Sequence, residues 1–92
     1  SDRRRKENIT DADATLDKVN QLRVVNYNRT GDTEKSPHIG VIAQEVQEVF
    51  PHLVSTATDE IESKVLYKVG FVPLLIKAIQ EMSAKITALE NA

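Results

Sequence analysis

From Val72 to Leu89, apolar residues recur at alternating intervals of three and four. Val72, Ile79 and Ile86 take the a positions of a heptad, and Leu75, Met82 and Leu89 take the d positions. A helix turns once in 3.6 residues, so this spacing gathers all six side chains on one seam. It predicts a helix over 71–91, with Pro73 in the first turn, where a proline is tolerated. Lys85 falls at g and Glu90 at the following e, the pairing of a parallel interface. Two outcomes fit this pattern. The seam associates with copies of itself, or it packs on the sheet of its own domain as an ordinary amphipathic helix does. Isoleucine at a with leucine at d leans towards two strands, while Ile76 at e widens the seam and favours a higher order.

Length bears on that choice. Ninety-two residues leave room for one core, and so small a core is commonly reinforced by disulfides, metal or oligomerisation. The chain has no cysteine, and its two histidines, His38 and His52, lie far apart with no evident ligand partners. Oligomerisation is the route left open, and no cofactor is called for. The net charge of −2 gives no general argument for nucleic acid or an anionic membrane as partner. No apolar run approaches the roughly 20 residues that span a bilayer. The charged N-terminus has no signal-peptide pattern. The reading is a soluble domain able to fold in a reducing cytoplasm.

Ahead of the heptads the pattern is mixed. Thr10 followed by Asp11 and Asp13 resembles a helix start, and Ile9, Ala12, Leu16 and Val19 continue a stripe that predicts a helix to about Leu22. Val25 and Tyr27 alternate with asparagines, which predicts a short strand. Residues 29–37 form a polar loop broken by Gly31 and Pro37. His38 to Ala43 reads as a buried strand, and Gln44 to Phe50 as a short helix stopped by Pro51. Residues 53–55 and 63–67 pair as a hairpin around a polar turn near Asp59. The fold class is α+β: an N-terminal helix, a small antiparallel or mixed sheet, a short middle helix and a long C-terminal helix. The sequence divides into a motif at 1–9, a body at 10–67 and a helix at 71–91, all within one domain.

Chemistry, if present, is at the front. Ser1 and Lys6 are the one pair able to make a simple nucleophile and base. A serine hydroxyl attacks only once something takes its proton, and a lysine can do so when burial or nearby positive charge favours its neutral form. Arg3, Arg4 and Arg5 supply such charge. On one continuous helix, side chains five apart point about 140° away from each other. The pair meets only through a cap or turn, or across subunits. Taken alone, the same residues also describe a solvated basic tail.

Ser1-Asp2-Arg3-Arg4-Arg5-Lys6-Glu7-Asn8-Ile9 resembles the opening motif of a family: the self-processing intramolecular chaperone domains of phage endosialidase tailspikes, neck appendages and long tail fibres. A similar domain occurs in the animal myelin regulatory factors. The likeness continues through Leu16 to Tyr27, His38 to Val46, Phe50 to Val54, and Tyr67 with Val72 to Ile79, in order along nearly the whole chain. It departs at Leu66, where the family often has aspartate, and at Gly70-Phe71, which replaces a more helix-friendly pair.

The resemblance implies a homotrimer, made in the host cytoplasm at the C-terminus of a virion tail protein. It implies that the domain guides folding of the upstream fibre and then cuts the bond before Ser1. Ser1 is then the nucleophile and Lys6 the general base of a single-turnover serine peptidase, and the product begins at Ser1, as does a chain cut there by design. His38 falls at a position tied to folding or processing, against the alternative of a structural hydrogen bond at a strand start. Asp2 orients the serine or caps a helix. Gly40 reads as a close-packing glycine. Gln44 and Glu45 read as contacts to another subunit or to the fibre. Two other classes stay in view: a trimerisation or fibre-tip module without proteolysis, and a nucleic-acid binder acting through Arg3–Lys6, which would show steep salt dependence.

Overall fold

Val46 and Phe50 stand one turn apart on a seven-residue helix, α2 (Ala43–Val49 with Phe50 as its cap), and both are buried. The residue before a proline is steered out of the helical region. Phe50, ahead of Pro51, accordingly sits at φ −132°, ψ 68°, and α2 stops there. A 3-10 turn at Pro51–Leu53 then folds Leu53 back beneath the helix, and Val46, Phe50 and Leu53 form the core. The Tyr67 amide donates to the Leu53 carbonyl at 2.8 Å, which ties a distant segment to this corner.

The other elements of the computed structural model, which describes residues 1–92, are arranged around that corner. Arg3–Arg5 make a 3-10 turn, and α1 spans Leu16–Val19. Strands β1 (Val25–Tyr27) and β2 (His38–Gly40) pair antiparallel with Asn26 opposite Ile39. Strands β3 (Val54–Thr56) and β4 (Lys64–Leu66) pair antiparallel with Ser55 opposite Val65. A 3-10 turn at Lys68–Gly70 runs directly into α3, Phe71–Glu90. The fold is mixed α+β, with two separate two-stranded sheets where the sequence suggested one small sheet.

The front helix is shorter than its stripe implies. Residues 7–14 make no helix, and α1 holds only four residues of the span expected from 10 to 22. The cause is tertiary. The amides of Thr15 and Leu16 donate to the Glu81 carboxylate of α3 at 2.8 and 3.0 Å. A helix reaching back to Thr10 would take those amides for its own carbonyls. The strand expected over 38–43 also ends early, because Ile42 already caps α2 and accepts from the Glu45 and Val46 amides.

Only six of the 92 residues are buried. The radius of gyration is 17.2 Å, against about 12 Å for a compact domain of this length. The excess comes from the front arm, exposed from residue 1 to 14, and from α3, in which Ala78 alone is buried.

One glycine holds the core closed. Gly70 has an ordinary helical φ of −63°, so its role is spatial. A Cβ there would run into Leu53 Cδ2 and lie 2.7 Å from Tyr67 Cδ2. Leu53 is 2% exposed and has nowhere to move. At Gly40 a Cβ would meet Tyr27 at 3.4 Å, an ordinary contact, so Gly40 is not the tight glycine of this fold. Gly70→Ala is expected to lower unfolding stability by about 1–3 kcal/mol through overpacking, and Gly40→Ala by less than about 1 kcal/mol, both read by urea denaturation.

Candidate functional site

The first nine residues are polar but for Ile9, and they fold only as far as local hydrogen bonds take them. Asp2 caps the 3-10 turn: its Oδ1 accepts from the Arg4 amide at 2.9 Å. The Arg4 guanidinium returns to the same carboxylate, with Nη2 2.8 Å from Oδ2. The Arg4 side chain first, and then its amide, hold the Asp2 carboxyl below the usual aspartate range. Arg3, Arg5 and Lys6 pair with no carboxylate, so one of the three arginine charges is neutralised and three cationic groups stay free.

Ser1 and Lys6 flank this turn, both exposed, and no hydrogen bond joins them within the single chain. Lys6 is extended, at φ −123°, ψ 144°. Asn8 then takes a left-handed φ of 53°, which bends the chain ahead of Ile9. The turn therefore brings Asp2 and Arg4 together and leaves Ser1 and Lys6 open to a further surface.

The arm is tied to α3. Residues Thr10–Ala12 run beside Pro73, Ile76, Lys77 and Gln80. At the root of the arm the Thr15 hydroxyl donates to the Leu74 carbonyl at 2.8 Å, and Glu81 accepts both Thr15 and Leu16 amides. A carboxylate from one helix thus caps another 65 residues away in sequence. The Thr15 amide above all, then the Leu16 amide and the Lys77 and Lys85 charges, hold the Glu81 carboxyl below the usual glutamate range, against the opposing effect of burial.

The other candidates from the sequence lie elsewhere. His38 opens β2 opposite Tyr27, and their rings stack 5.2 Å apart at 21°. Gly40, two residues on, borders the same tyrosine ring. Gln44 is exposed on α2. Glu45 is held within the chain by Arg23 through two bonds, Nε–Oε1 at 3.1 Å and Nη2–Oε2 at 2.7 Å. None of these is gathered with Ser1 and Lys6. No group of three or more histidine or acidic side chains stands where it could hold a metal ion. Sequence reasoning missed Glu81, Thr15 and Gly70. For Glu81 no local signal existed, since its partners lie in another element.

The seam of α3 is on the surface along its whole length. Val72, Leu75, Ile79, Met82, Ile86 and Leu89 are each between 43% and 76% exposed, and Ile76 is 51% exposed. Fold and arm together define a small α+β head set on an unburied amphipathic helix, preceded by a charged arm that carries a serine and a lysine.

The family model described as chaperone of endosialidase matches residues 1–55, and the chain belongs to that family. It is 31% identical over 96 residues to long tail fiber protein Gp37 of Enterobacteria phage K3, across 99% of this chain and 8% of that protein. The same identity links it to long tail fiber protein Gp37 of Enterobacteria phage T2, across 99% of this chain and 7% of that protein. The chain thus spans under a tenth of the length of these curated relatives.

The anchor at Glu81 has a pH signature. Its folded pKa is depressed, so its contribution to stability is present above the unfolded glutamate value of about 4.3 and is lost as pH falls through the lower folded value. Glu81→Gln is expected to lower the urea midpoint at neutral pH. The gap from the native chain should close in acid below about pH 4, and equal gaps at pH 7 and pH 3 would show that the charge is not what anchors α1.

Proposed function

We propose that this domain assembles as a homotrimer through α3, aids folding of an upstream tail-fibre segment of the same polypeptide, and then detaches by cutting the bond before Ser1. Residues 1–9 act as the cleavage motif, 10–67 as the body and 71–91 as the trimerisation helix. The parent is a virion tail protein made in the host cytoplasm, from which the domain is released after cleavage. Membership of the chaperone-of-endosialidase family and likeness to long tail fiber proteins support the setting. The observation that carries the assembly reading is the seam of α3, which its own body does not cover. Each half-exposed isoleucine or leucine gains on the order of 1 kcal/mol when buried, so the seam favours association by about 5 kcal/mol per chain.

The chemistry follows from the two side chains. The Ser1 Oγ attacks the carbonyl carbon of the preceding residue while neutral Lys6 Nζ takes the hydroxyl proton. As the carbon–nitrogen bond breaks, that proton passes to the leaving nitrogen, which becomes the Ser1 amine. The upstream carbonyl is then an ester on Ser1 Oγ, and water hydrolyses it to free the upstream carboxylate and the hydroxyl. Lys6 is exposed in the single chain, so the reading places its desolvation in the assembled state. The arm passes beside Ile76, on the flank of the seam, and so borders a neighbouring subunit in the trimer.

Fibre stalks depend on pairing across three chains, which is slow to form and open to traps. A trimerising end raises the local concentration of the three stalk ends, and its loss leaves the product held by its unfolding barrier. The test is a longer chain carrying the native residues before Ser1. The native form is expected to split before Ser1 by intact mass, while Ser1→Ala and Lys6→Ala stay whole and trimeric. If all three stay whole and trimeric, the domain is an assembly module without proteolysis. Ile79→Asp, placed in the seam, is expected to yield uncut monomer, and normal cleavage by that monomer would break the link between assembly and processing.

A further inference from the structure

An apolar groove of about 280 Å³ opens beside the first heptad, lined by Val19, Leu22, Val24, Val41, Phe71 and Leu75. Leu75 is a d residue and Phe71 falls at g, so the groove lies on the d/g flank of the seam. The opposite a/e flank bears Ile76, an apolar side chain with half its surface exposed. In parallel helices the g residue of one chain lies against the following e residue of the next. That rule matches Phe71 with Ile76, Ala78 with Ser83, and Lys85 with Glu90 of a second copy.

The first and third matches are chemically consistent. At the third, opposite charges meet. At the second, Ala78 is already covered by α1 of its own chain, so Ser83 of the next copy faces that head and not Ala78 itself. At the first, the g side carries the groove, and the facing residue is the one apolar member among the e positions, Ile76, Ser83 and Glu90. We infer that the groove receives Ile76 of a neighbouring copy, so that the head of each subunit, and not the helix alone, forms the interface. The inference rests on the trimer reading above and fixes its register as parallel. The a/e flank of one copy meets the d/g flank of the next, a head-to-tail contact that a closed ring of three parallel copies satisfies.

The absence of cysteine makes a direct test clean. A disulfide needs Cβ atoms about 3.5–4.5 Å apart. The double variant Ile76→Cys with Val24→Cys is expected to oxidise into covalent multimers ending at the trimer, whereas each single variant links no trimer. The double variant Lys85→Cys with Glu90→Cys reads the helix register independently of the groove. If Lys85/Glu90 links and Ile76/Val24 does not, the groove inference is overturned and the trimer stands. If neither pair links and the native chain sizes as a monomer, the trimer reading fails and takes the inference with it. Ile76→Ser is also expected to raise the concentration for half-assembly by about tenfold or more, and unchanged assembly would count against the groove as occupied.

Discussion

Everything in this chain is organised by one unmet requirement: α3 has an apolar seam that its own body does not cover. The head is too small for the task. Its core is a corner of three side chains around Pro51, and it meets α3 only along the first half of the helix, from Phe71 to Glu81. Beyond Glu81 every residue of the helix is exposed. An exposed apolar face so continuous marks a surface suited to interaction. The low burial and the extended shape of the single chain are the same fact seen from the body and from the helix.

The second organising contact is polar. Glu81 and the Leu74 carbonyl hold Thr15, and Thr15 is where the exposed arm ends and the packed body begins. Leu74, Ala78 and Glu81 lie on the face of α3 turned towards α1, while Val72, Leu75 and Ile79 lie on the face left open. One helix therefore presents the root of the arm on one side and the seam on the other. Any shift of α3 on assembly is passed to the arm through three hydrogen bonds, without need of a long relay.

How much of this was legible depended on how local the cause was. The heptads of α3, the proline stop of α2 and the hairpin at 54–66 are set by spacing and by backbone restrictions within a few residues, and the structure has them close to where the pattern put them. The front helix was overread because Ile9, Ala12, Leu16 and Val19 have helical spacing, while the group that decides where α1 begins belongs to α3. Gly70 looked like a poor way into a helix. It is in fact the residue that lets α3 start against Leu53 and Tyr67. Asp2 is the instructive case at the site. Its capping bond is local and could be anticipated, yet the ion pair it adds with Arg4 removes one of the charges that the arginine run seemed to place around Lys6. The sequence left open whether Ser1 and Lys6 meet in one chain or across two, and the single chain does not bring them together.

On the proposed reading, the exposure of Ser1 and Lys6 in the single chain sets the order of events. If the arm folded into a complete site within one chain, cleavage would race the slow assembly of the fibre and would often win. On this reading, Ser1 and Lys6, exposed and unjoined in the single chain, would wait for a further surface to bring them together. In the proposed trimer the arm, running beside Ile76, borders the next subunit. On that reading, the surface that would complete the site becomes available only when three helices are in register. An arm that stays unfinished in the monomer is on this account a timing device. Its incompleteness in isolation is what would let assembly come first.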